Sequence, residues 1–196
     1  MLTAPIPQLS EVLAALAVNV QFDCIMGRNA LMSEPNKLQA AQILAQLIPL
    51  GGKLVLAETV PRYTQRLYRL LPANALNKKL YERLVDAEEA MYANQSDTML
   101  NWDADDLRDA FASTGLALEM VVEQNSTQMH ISSAFLERLF ATKGTRPSYV
   151  QRLGENLTLK ELERLKVTFT QYLLNQTIDW QSAIAFLKAQ QSFNFK

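Results

Sequence analysis

The chain has 196 residues and a mass of 22.1 kDa, the size of one domain, and its 48% hydrophobic and 20% charged content excludes a disordered chain. Nineteen basic residues against 20 acidic ones leave a formal charge of −1, which excludes a global field favouring nucleic acid or an anionic membrane. One cysteine, Cys24, and one histidine, His130, exclude a disulfide framework and a zinc cluster, so neither staple nor metal is expected.

A fold of this length buries roughly 70% of its unfolded surface and needs no such staple. The apolar runs are too short to span a bilayer. The opening MLTAPIPQLSEV lacks a basic stretch followed by an apolar one. A lone thiol and no export signal give the expectation of a cytoplasmic protein.

In chain order, Gln21 to Gly27 reads as a short buried strand closed by glycine. Pro35 to Ile48 places Leu38, Ala41, Leu44 and Leu47 at helical spacing, with Ser33 or Glu34 at its start. Pro49-Leu50-Gly51-Gly52 stops that helix, and Lys53 to Glu58 is a second apolar strand. Strand, crossover helix and strand make a βαβ unit, whose strands run parallel.

Arg62 to Ala93 reads as two helices with a break around Pro72. Asp103 to Ser113 is a helix with acid at its start and Gly115 at its end. Leu116 to Val122 is a third strand. Ser132 to Ala141 carries a stripe of Phe135, Leu136, Leu139 and Phe140, and Thr158 with Glu161 forms a capping box that opens a further helix. Ala183 to Ala189 reads as a closing antiparallel strand at or near a sheet edge. The whole chain, 1–196, is then a single α/β domain, with residues 132–177 a helical insertion before its last strand.

The run FDCIMGRNALMSEPNKLQAAQILAQLIPLGGKLVLAE, Phe22 to Glu58, resembles the second half of a class I S-adenosylmethionine-dependent methyltransferase. That family follows its fourth strand with an Asn-containing turn, then a helix and a Pro-Gly-Gly turn into the fifth strand. The group that includes the chemotaxis-receptor methyltransferases has an Arg-Asn pair after the fourth strand, here Arg28-Asn29. Pro49-Leu50-Gly51-Gly52 departs from the pattern by its leucine. WDADDLRDAFASTGLALEMV, Trp102 to Val121, is similar to the family's helix leading into the sixth strand. The resemblance implies a partial Rossmann-like sheet and S-adenosylmethionine as cofactor.

The family's glycine-rich loop is absent, since the six glycines contain no G-x-G. In that loop only glycine lets the backbone approach the cofactor. An acid ending a second strand is absent as well. The expectation is the C-terminal half of the fold, with an N-terminal remainder of a parent protein supplying the rest of the cofactor site. One arrangement with such a tail is a replication-associated recombination ATPase of the AAA+ class fused to a methyltransferase-like region.

Gly27, Arg28 and Asn29 fall at the carboxyl end of a parallel strand, where open α/β sheets bind ligands. The resemblance makes them the cofactor-binding candidates. The structural alternative has Asn29 capping the turn and Arg28 as a surface charge. Glu58 ends the next strand on the same sheet edge, where it can orient a substrate, cap a helix or pair with a nearby arginine such as Arg62.

Thr59 to Tyr81 holds five basic residues and no acid, and Arg62, Arg66 and Arg69 share one helical face at i, i+4 and i+7. This stripe is the candidate contact for a substrate or nucleic acid. Glu82 to Asp109 holds nine acids against two arginines, so mutual neutralisation is the alternative. Cys24 is expected to be a buried thiol and His130 structural, because no G-x-S-x-G exists.

Three readings follow. The first is the C-terminal part of a methyltransferase-like domain, with no catalytic base assigned. The second is a non-catalytic assembly module of a AAA+ ATPase acting in DNA replication or recombination, which self-associates through an exposed sheet edge. The third is a nucleic-acid module using the arginines.

Overall fold

The computed structural model describes residues 4–15 and 20–191. Four strands form one sheet: β1 (Cys24–Arg28), β2 (Lys53–Thr59), β3 (Ala117–His130) and β4 (Thr177–Gln190), in the order β1-β2-β4-β3. The helices are α1 (Leu9–Ala15), α2 (Lys37–Gln46), α3 (Lys78–Ala93), α4 (Ala104–Ala112), α5 (Ser133–Leu139), α6 (Tyr149–Leu153) and α7 (Leu159–Leu173). The result is a mixed α/β fold.

β1 and β2 run parallel, from Cys24 opposite Lys53 to Arg28 opposite Ala57, and α2 connects them. The βαβ unit expected from the sequence is therefore present. Asn36, rather than Ser33 or Glu34, caps α2 by accepting the N–H of Gln39 at 2.9 Å. The turn before β2 places Gly51 at φ 81°, a left-handed conformation that glycine adopts without a Cβ clash.

β4 is antiparallel to both neighbours and lies near the sheet edge, as expected, with β3 outside it as the edge strand. Ala183, Ala185, Leu187 and Ala189 alternate along it and are buried, which suits a central strand packed on one face. β3 and β4 also run well past the residues predicted for them. The outer half of β3 is polar (QNSTQ) and lacks the apolar signal that marks a strand, whereas that of β4 alternates Ile178 and Trp180, a period-2 signal that lies outside the predicted strand.

Two apolar cores flank this ribbon. The first packs α2 and α4 under Leu54 and Leu56 of β2 and the small residues of β4, with Leu107 and Phe111 fully buried. The second gathers α3 and α5 to α7 around Leu84, Leu153, Leu165 and Phe169. The helices of the 132–177 segment build this second core, between β3 and β4 in sequence. Ile131 and Asn175 close that segment with a backbone hydrogen bond of 2.8 Å.

Over β1, β2 and the adjoining ends of β3 and β4, the opposite face of the sheet is exposed. Farther along the β3–β4 ribbon the same face carries Ile178 and Trp180, which pack on the second core, with the Trp180 ring 5.9 Å from that of Phe135 in α5. Met26 (78% exposed) lies opposite Val55 in the register, and Phe186 lies opposite both Ala57 and Val121 (61% exposed). β1 is an edge strand, so Cys24 is exposed, against the expectation of a buried thiol. The apolar run QFDCIMG reads as buried because it holds four apolar residues, but its alternate side chains fall on the bare face.

Candidate functional site

The carboxyl ends of β1 and β2 form one tip. Asn29 leaves β1 at φ 50°. Its N–H donates to Ala57 at 3.0 Å, and its Oδ1 accepts the N–H of Thr59 at 2.9 Å. The Asn29 side chain thus laces the two strands together. Arg28 is exposed at the tip. Gly27 is tightly packed: a Cβ there would lie 2.9 Å from Leu56 Cδ2 and 3.1 Å from the Ala30 Cβ.

Glu58 is fully buried behind this tip. Its Oε1 accepts the N–H of Ala30 at 2.8 Å, and its Oε2 accepts that of Leu31 at 3.2 Å. Burial pushes its pKa up, while these two bonds and the nearby Lys37 pull it back. Lys37 donates to the carbonyls of Glu34 and Thr98 and lies 4.7 Å from the centre of the Trp102 ring. Its pKa is lowered, chiefly by burial. Glu58 therefore organises the turn after β1 and has no oxygen exposed at the tip.

The segment after β2 is not the pair of helices predicted over Arg62 to Ala93. Two 3-10 turns, Pro61–Tyr63 and Leu67–Leu70, precede α3. Buried Glu88 of α3 explains the difference. It accepts the backbone N–H groups of Leu67 (2.6 Å) and Tyr68 (3.1 Å), taking donors that a continuous helix would use internally. It also accepts the Tyr149 hydroxyl at 2.6 Å. Desolvation raises the Glu88 pKa against these three bonds.

Arg62, Arg66 and Arg69 consequently share no α-helical face, but they line one cavity of about 350 Å³ just beyond the end of β2. The three differ sharply. Arg62 pairs with Asp103 at 2.5 Å and donates to the Asn101 carbonyl. Arg66 gives its Nε to Glu89 at 3.1 Å and both terminal nitrogens to the carbonyls of Thr64 and Arg62. It also lies 3.6 Å from the centre of the Tyr92 ring. Among the described residues, Arg69 donates only its Nε, to the Tyr68 hydroxyl at 3.3 Å. That hydroxyl donates in turn to Glu89 at 2.8 Å. The Arg62–Asp103 and Arg66–Glu89 pairs are the neutralisation between basic and acidic stretches that the sequence offered as an alternative.

The other wall of this cavity comes from Gln124 of β3 and from Gln181 and Ser182 of β4. Sequence reasoning missed all three because it ended β3 and began β4 short of them. It also counted Glu88 only among the nine acids of Glu82 to Asp109, as a source of neutralising charge. Its spacing from Leu80, Leu84 and Met91 on the buried stripe of α3 was the available signal.

His130 is the exposed last residue of β3. No group of three or more metal-ligating side chains occurs among the described residues. No helix among them is long and apolar enough to cross a membrane.

No protein-family model and no curated protein matches the sequence. Among solved structures, the chain is similar to a candidate methyltransferase from Bacillus halodurans at 12% identity and TM-score 0.43, covering 88% of this chain and 70% of that one. It is also similar to the YcgJ protein of Bacillus subtilis, at 11% identity and TM-score 0.42, covering 95% and 78%. A third is Haemonchus contortus phosphoethanolamine N-methyltransferase 2 in complex with phosphomonomethylethanolamine and S-adenosylhomocysteine, at 14% identity and TM-score 0.36. There the match covers 86% of this chain and 33% of the enzyme. None of these likenesses assigns a residue here.

Proposed function

We propose that the chain is the second half of a class I S-adenosylmethionine-dependent methyltransferase-like domain, with β1 and β2 as its fourth and fifth strands. The observation that carries this reading is the parallel β1–β2 pair, with its outer edge open and one of its faces exposed at Met26 and Val55. Lys53 N–H donates to Asp23 and Asn29 N–H donates to Ala57. By alternation, the backbone groups of Cys24, Met26 and Arg28 point away from β2. Parallel sheets are normally covered on both faces. A first half supplying a strand beside β1 and helices over Met26, Val55 and Phe186 would complete the sheet.

In that reading the cofactor lies against the tip at Arg28, with the glycine-rich loop contributed by the missing half. S-adenosylmethionine would supply a methyl carbon activated by its sulfonium, whose sulfur would leave as a neutral thioether, and the protein would position the acceptor in line with the C–S bond that breaks. Gly27 and Asn29 act by holding the tip in shape, given the packing of one and the hydrogen bonds of the other.

Calorimetry with S-adenosylmethionine tests this. The expected result is no binding by the chain alone and binding once the N-terminal remainder of its parent is supplied. Absence of binding in the completed protein overturns the reading. It would leave the same open edge and bare face as the docking surface of a non-catalytic module.

A further inference from the structure

The cavity beyond β2 holds polar groups that the fold itself does not use. Arg69 is exposed, and its two terminal nitrogens make no hydrogen bond among the described residues; only its Nε is committed. The Gln124 amide, the Ser182 hydroxyl and the Tyr63 hydroxyl line the same cavity and also make none there. Elsewhere the cavity wall is well satisfied: Arg66 uses all three nitrogens, and Glu89 accepts from both Arg66 and Tyr68.

Charge points the same way. Three arginines and one carboxylate line the cavity. Asp103 offsets Arg62 and Glu89 offsets Arg66, so Arg69 is the net positive charge that remains. The Nε bond to the Tyr68 hydroxyl tethers the guanidinium at the cavity, with its carbon 5.6 Å from the centre of that ring. A tethered guanidinium with a free terminal fork matches the two oxygens of a carboxylate or phosphate. The volume of about 350 Å³ lies within the range of roughly 300–1,000 Å³ typical of small-molecule sites. Its place beyond the carboxyl end of β2 is where open α/β sheets take ligands.

We propose that this cavity binds a small oxyanionic ligand, with the Arg69 fork on its phosphate or carboxylate group and Gln124, Ser182 and Tyr63 on its polar body. The inference does not depend on methyl transfer. It rests on side chains this chain holds by itself.

Inorganic phosphate and acetate, each titrated at constant ionic strength, distinguish the two anion classes. The readouts are calorimetry and the Arg69 Nε–Hε signal in ¹H–¹⁵N spectra. The expected result is saturable one-to-one binding of at least one anion with a shift at Arg69. Phosphate alone marks a phosphate monoester site, acetate alone a carboxylate site, and both a general oxyanion site. Arg69→Gln should weaken binding by about tenfold or more, with Arg69→Lys intermediate, since charge remains but the fork is lost. Arg108→Gln, a surface arginine on α4, should leave it unchanged. Saturation by neither anion, or equal affinity in a folded Arg69→Gln chain, overturns the proposal.

Discussion

Glu58 Oε1 lies 2.8 Å from the backbone nitrogen of Ala30, so the last strand residue but one of β2 holds the turn that leaves β1. With Oε2 on Leu31, the carboxylate satisfies two buried donors in a segment that has no other secondary structure. Glu58→Gln keeps one acceptor oxygen and leaves one N–H unpaired, at a cost of about 1–3 kcal/mol. Burial raises the Glu58 pKa above its ordinary 4.5, so the folded state holds this proton more tightly than the unfolded one. The resulting stabilisation is fully present below 4.5 and is lost as pH rises through the folded value. Urea unfolding across that window should show wild-type stability falling with pH by a component that Glu58→Gln lacks.

Gly27 and Leu56 make a second fixed point of the same tip. A Cβ at 2.9 Å from Leu56 Cδ2 cannot be relieved cheaply, because Leu56 is itself 1% exposed in the core under the sheet. Gly27→Ala should destabilise the chain by about 1–3 kcal/mol, the usual range for overpacking. Thermal melting measures it. A melting temperature equal to wild type would show that the tip is loosely packed.

Glu88 plays for the segment after β2 the part that Glu58 plays for the turn after β1. Glu88→Ala strands two backbone N–H groups and the Tyr149 hydroxyl in a buried site. The expected loss is about 3 kcal/mol or more. Tyr149→Phe removes one donor only and should cost less, about 1 kcal/mol. Chemical denaturation of the two single variants and the double variant gives their coupling. Additive losses would mean that the hydroxyl and the carboxylate do not act together.

These two carboxylates also mark the limit of what the sequence reveals. Strands β1 and β2 and helices α2, α4 and α7 are legible because their apolar spacing and caps are local signals. The capping box of Thr158 and Glu161 is found as expected. The 3-10 segment is not legible, because Glu88, 21 residues beyond Leu67, decides it. The outer half of β3 is set by pairing with β4 across the 131–176 segment, a long-range register that its polar QNSTQ does not announce, while the alternation of Ile178 and Trp180 in β4 is a local signal left unused. At the tip, the sequence locates Gly27, Arg28, Asn29 and Glu58 together. It offers Asn29 as a cap of its own turn, but does not reveal that Asn29 and Glu58 bond backbone groups on the opposite strand and turn, 27 to 30 residues away. Arg62, Arg66 and Arg69 do come together, through two turns and not through a helical face.

The open edge of β1 leads to the last prediction. Cys24, Met26 and Arg28 share one parity, so a second β1 laid antiparallel about Met26 would pair Met26 with its counterpart and Cys24 with Arg28. All outward backbone groups of the three would then be satisfied by one another. The exposed Met26 side chain adds apolar area to that contact. The isolated chain is therefore expected to self-associate through β1. Met26→Pro removes the outward N–H while sparing the bonds to β2, which Ile25 and Gly27 make on the other side by the same alternation. Met26→Lys places a charge at the centre of the contact. Sedimentation velocity should show both variants shifted to monomer with the fold retained by circular dichroism. An oligomer that persists in both would place the contact elsewhere, and a wild-type chain that is monomeric at every concentration would remove it.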